Sequence, residues 1–149
     1  MKLKSWTTED FDEMSWHDNY VHALRIVEGQ HGHGSLELDL DYILEWRRDE
    51  SKGFQFLIAR AELVFEDVFN LSISINFASA TAAIGPFSID GVRRESEKRE
   101  RYTASVWTIP VNFPHGEIKF ESSGFTQEQK AAPVLTDQQF LTHDERTST

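Results

Sequence analysis

The 149-residue chain has no cysteine, only 4 prolines and 2 methionines, and 15 lysines and arginines against 25 aspartates and glutamates. Without cysteine there are no disulfides, thiolate metal sites or thiol nucleophiles, which fits a reducing compartment. No apolar run approaches the ~18 residues that a membrane-spanning helix needs. The formal net charge of −10 argues against phosphate-dominated nucleic-acid binding, which requires a basic surface. Met1-Lys2-Leu3-Lys4-Ser5-Trp6 runs directly into Glu9, Asp10, Asp12 and Glu13, leaving no apolar stretch for a secretory signal. The expectation is a soluble, cytoplasmic, bacterial-type protein with a single domain over residues 1–149. The charge is uneven: residues 1–50 hold 5 basic and 12 acidic side chains.

What the chain does have is alternation. Leu36-Glu37-Leu38-Asp39-Leu40-Asp41-Tyr42-Ile43-Leu44-Glu45-Trp46 switches between apolar and acidic residues, with one break at Ile43. A strand points successive side chains to opposite faces, so this run predicts one apolar face and one acidic one. Leu36, Leu38, Leu40, Leu44 and Trp46 are expected inside. Eleven residues extend about 36 Å at ~3.3 Å each, so the strand should be long and bent. Leu71-Ser72-Ile73-Ser74-Ile75-Asn76-Phe77 alternates as cleanly.

Other segments support the same class. Thr7 to Met14 reads as a short helix, capped by Thr7 or Thr8, with acids in its first turn. Tyr20 to Glu28 is a first strand, joined to the alternating one by the glycine-rich loop Gly29–Ser35. Phe54 to Phe65 is a further strand, and its slip around Ala59-Arg60-Ala61 suggests a bulge. Glu66 to Asn70 reads as a corner and Ala78 to Ala83 as a loop. Phe87 to Val92, Tyr102 to Val111 and Glu117 to Glu121 complete the strands. Arg93 to Arg101 is a mixed-charge surface segment. From Ser122 the pattern dissolves, and a mobile tail is expected from about residue 142. Together these segments predict an all-β, mainly antiparallel fold: a sandwich or partly open barrel of seven to eight strands with a short N-terminal helix.

Three constellations bear on function. Glu37, Asp39, Asp41 and Glu45 form an acidic strand face. Alternate strand residues stand about 6.5–7 Å apart, a separation shared by paired carboxylates in glycoside hydrolysis and by any two outward-facing neighbours. His17, His22, His31 and His33 lie close in sequence to Asp18, Asp39 and Asp41, but without the spacing of a dedicated metal site. No metal or cofactor is therefore expected. Trp16-His17-Asp18-Asn19 places an imidazole beside a carboxylate. That suits a general base with its orienting acid, or a turn anchored by Trp16 in which Asp18 and Asn19 satisfy backbone groups. No serine sits in a nucleophile elbow and no glycine loop has phosphate-cradle spacing.

Trp16-His17-Asp18-Asn19 followed by the alternating strand, and then Leu63-Val64-Phe65-Glu66-Asp67-Val68, resembles small uncharacterised bacterial β domains with a Trp-His-Asp opening. Some of these are similar to immunity proteins of polymorphic toxin systems. The resemblance covers roughly the first half of the chain. It implies an all-β fold and a toxin-neutralising partner role, with no catalytic residues to carry over. The leading expectation is thus a protein-binding domain, more an inhibitor than an enzyme, that meets a basic partner through Glu37, Asp39, Asp41 and Glu45. The alternative is a small-ligand binder or hydrolase with His17, Asp18 and His22 in a barrel mouth.

Overall fold

A computed structural model describes residues 2–78 and 82–147. The strands are β1 (Ser5–Thr7), β2 (Tyr20–Glu28), β3 (Gly34–Asp49), β4 (Gly53–Ile75), β5 (Phe87–Ile89), β6 (Arg93–Lys98), β7 (Thr103–Phe113), β8 (Gly116–Glu121), β9 (Gly124–Gln129) and β10 (Val134–Thr136). A 3-10 helix spans Thr8–Glu13 and an α-helix, α1, spans His143–Thr147. The fold is all-β with every pairing antiparallel. The expected N-terminal helix is a single 3-10 segment, and the α-helix is C-terminal. Part of the expected 78–83 loop falls outside the described residues.

The pairings return on themselves. β2 pairs with β3, β3 with β4, β4 with β8, β8 with β7, β7 with β5 and β5 with β2. Only two residue pairs join β5 to each neighbour, so the result is a partly open barrel. β4 organises it. Along its 23 residues it holds β3 on one edge and, in turn, β10, β9 and β8 on the other. The expected corner at Glu66–Asn70 lies inside this one strand. Asp67 and Asn70 take positive φ there, and the neighbour changes from β9 to β8.

The inner face is filled. Leu36, Leu38, Leu40 and Tyr42 of β3 meet Trp16, Phe65, Trp107, Ile118, Phe120 and Phe125 in one core. Phe65 lies edge-on to Phe120, with centroids 4.7 Å apart. The 3-10 helix plugs one side with Phe11, which stands 5.4 Å from Trp107 and lies under the Arg94 guanidinium at 4.8 Å. Gly124 admits this plug: a Cβ there would meet Thr8 Oγ1 at 2.2 Å, and Thr8 Oγ1 accepts the Phe125 N–H at 2.8 Å.

The bulge expected near Ala59-Arg60-Ala61 belongs instead to β3. The β3–β4 register shifts between Ile43 and Glu45, at the break in the alternation. One extra residue turns every following side chain to the other face. Ile43, just before the shift, lies on the outer face with Asp39 and Asp41, in a second small core with Phe56, Ile58, Leu141 and Val134, and the shift brings Trp46 to that same face. Trp46, expected inside, is 48% exposed. Ala59 and Ala61 break the alternation of β4 because both of its faces are covered there.

Candidate functional site

The acidic face of β3 proves to be largely occupied by the chain itself. The β2–β3 register slips between Val21 and Ala23, which places His22 on a bulge facing this strand. A bulge re-aims a side chain in this way, and His22 Nε2 stands 2.7 Å from Asp41 Oδ2. The Leu141 N–H donates to the same oxygen at 2.9 Å. Arg146 of α1 reaches back to hydrogen-bond both Asp41 and Asp39. Asp41 is 0% exposed. A buried carboxylate requires such partners, because leaving it unpaired costs several kcal/mol. Residues 142–147, expected as a tail, thus include a helix whose Arg146 is buried. Glu37 pairs with Arg25, and Glu45 with Arg47 at 2.8 Å. Of the four carboxylates, Glu45 is the most exposed.

The structure brings His17 and Asp18 together, with Nε2 3.3 Å from Oδ2, but His22 is engaged elsewhere. His17 Nδ1 lies 3.1 Å from the Asp90 carbonyl, and its ring stacks over Trp46 with centroids 6.3 Å apart. Asp18 accepts from Asn112 at 3.2 Å and Gln139 at 3.4 Å. His22 turns to Asp41. Trp16 is a buried anchor that donates from Nε1 to Gln127 Oε1 at 2.7 Å. In the turn that follows, backbone satisfies backbone: the Asp18 N–H donates to Ile89 O and the Ile89 N–H to Asn19 O, both at 2.9 Å. Asn19, expected to satisfy backbone with its side chain, is buried with both amide atoms unpartnered among the described residues. Nor do three His, Asp or Glu side chains among these residues converge into a metal-binding group.

A different surface emerges past Asp41. There β3 has left β2 behind, and beyond Phe56 β4 has only β3 beside it. The hairpin continues as an arm. Its outer face carries Trp46, T-stacked on Phe56 with centroids 4.8 Å apart, and Phe54, 58% exposed. His17 and Phe56 hold the indole from two sides, so the anchor is preorganised. The outer apolar face begins at Ile43 and Ile58 under Leu141 and runs out to these two uncovered rings. Reading β3 as an unbroken alternator hides this surface; the break at Ile43 is the one sequence signal for it.

The fold and these surfaces define a class: an antiparallel, partly open β barrel with a filled interior, a self-neutralised acidic strand and an aromatic arm. No protein-family model, curated protein or solved structure matches the chain.

Proposed function

We propose that the protein is a non-enzymatic protein-binding domain of the cytoplasm, specifically an immunity-type inhibitor, that docks a basic partner through the β3–β4 arm. The observation that carries this reading is the pair of exposed rings, Trp46 and Phe54, on a two-stranded support. Large aromatic side chains already fixed by their neighbours lose little entropy on binding and dominate interface energies. The net charge of −10 supplies the attraction. Long-range fields of this kind speed encounter and select a partner of opposite sign. Of the acidic strand, only Glu45 stands beside the arm. Glu37, Asp39 and Asp41 serve the chain's own cations and bind the partner only through the overall field.

The test is affinity capture from a lysate of the source organism, comparing the native protein with a Trp46→Ser/Phe54→Ser variant. A single basic protein should be retained in 1:1 ratio by the native chain and lost by the variant. Purified, that protein should lose its own activity on equimolar addition of this domain. Equal retention by the variant would remove the arm from the interface, and an acidic or neutral partner would overturn the charge argument.

A further inference from the structure

At the far end of β3 from the arm, roughly 40 Å along the strand, a second surface has its own chemistry. The loop Gly29–Ser35 meets the irregular stretch of β4 at Glu66–Asn70. His31, Asp67 and Asn70 adopt φ of 58°, 52° and 52°. The His33 imidazole lies flat on Phe69, with centroids 4.7 Å apart and planes within 8°. Three adjoining hollows, of about 290, 510 and 560 Å³, share His33 as a wall. Tyr102 lines the smallest.

The charged side chains that line these hollows are acidic. Glu28, Glu66, Asp67 and Glu121 line them, and no lysine or arginine does so among the described residues. By contrast, the hollow on the outer face of β2–β4 mixes Arg25, Arg60 and Lys130 with its acids. Glu121 is already satisfied: Asn70 and the Tyr102 hydroxyl donate to it, and Arg99 stands 3.4 Å away. Among the described residues Asp67 receives only the Ser123 hydroxyl, at 2.8 Å, with no donor to its second oxygen. No three carboxylates or histidines converge on a metal-sized point among the described residues. The guest that fits is a cation larger than a metal ion, with a face or stem that lies against aromatic rings.

We propose that this end of the barrel binds an organic monocation, an alkylguanidinium or alkylammonium group. Asp67 is its counter-ion, and His33, Phe69 and Tyr102 are its walls. The group belongs either to a small free amine or to a basic side chain of a peptide. The proposal does not rest on the docking arm.

The test titrates the full-length ¹⁵N-labelled protein, followed by NMR, with agmatine, with acetyl-Gly-Arg-Gly-amide and with acetyl-Gly-norleucine-Gly-amide as the uncharged control. Either cation should bind saturably in the millimolar range, with shifts centred on His33, Phe69, Asp67 and Tyr102. The control should not. Saturation by the peptide alone assigns the guest to a protein side chain, and saturation by agmatine alone to a free amine. Asp67→Asn keeps a residue that tolerates positive φ and should weaken binding by about fivefold or more, as loss of a charged hydrogen-bond acceptor does. Equal binding of the control, shifts centred elsewhere, no saturable shift with either cation, or unchanged affinity in the variant would overturn the site.

Discussion

Asp41 shows how a single residue changes meaning between sequence and fold. In the sequence it is the third acid of a solvent-facing series. In the structure it is a fully buried junction that receives His22, Arg146 and the Leu141 N–H. Removing one member of such a set leaves a buried charge without compensation. Asp41→Asn is therefore expected to lower unfolding free energy by about 3–5 kcal/mol, read from urea denaturation. Glu45→Gln, at a half-exposed pair, should change it by less than about 1 kcal/mol. Glu121 gives the pH counterpart. The Asn70 amide, with help from Tyr102 and Arg99, holds its carboxyl below the usual carboxylate range, against the opposing effect of burial. A carboxylate with a depressed folded-state pKa contributes stability above its unfolded value of about 4.3, and that contribution disappears as pH falls through the folded value. Melting temperature should thus drop below about pH 4.3. Glu121→Gln should be less stable at neutral pH and should show a shallower acid-side decline.

The elements that carry the most consequence are the C-terminal segment and the β3–β4 hairpin. Leu141 covers Ile43, Phe56 and Ile58. Leu141→Ala should cost about 2–5 kcal/mol, the range for a buried leucine, in the same urea assay. Whether the arm is intact in that variant can be read from the indole N–H resonance of Trp46 in an ¹⁵N NMR spectrum. How far these elements were legible depended on how their inward residues were disguised. β3 was readable because leucines mark its inner face. β9 was not, because two of its inward positions are amides: Gln127 is fully buried as the acceptor for Trp16, and Gln129 donates to the Ala131 carbonyl at 2.9 Å. A buried amide whose partner is far along the chain, as Trp16 is for Gln127 and the Lys4 N–H for Gln129, looks like a loop residue in sequence. Arg146 was hidden for the same reason, since its partners lie 105 and 107 positions away. The acidic strand was visible, but its neutralisation and the side switch between Ile43 and Glu45 depend on register, and the sequence marks the switch only by the break at Ile43.

For the molecule as a whole, charge and contact separate. If the net charge of −10 steers the partner, reversing acids away from the arm should slow association as well. Glu9→Lys with Asp12→Lys, on the 3-10 helix, should lower the on-rate several-fold at low salt and leave the off-rate nearly unchanged. Stopped-flow measurement against the captured partner distinguishes this from Trp46→Ser, whose effect should fall mainly on the off-rate. The clamp on Asp41 has one more consequence, for biosynthesis. Ser5 pairs with Glu128, and Arg146 is the closing partner of an aspartate made about a hundred residues earlier. A nascent chain from which Arg146 has not yet emerged cannot complete the neutralisation of that carboxylate. The clamp therefore closes late in synthesis, and β3 stands without its arginine while about a hundred further residues are added.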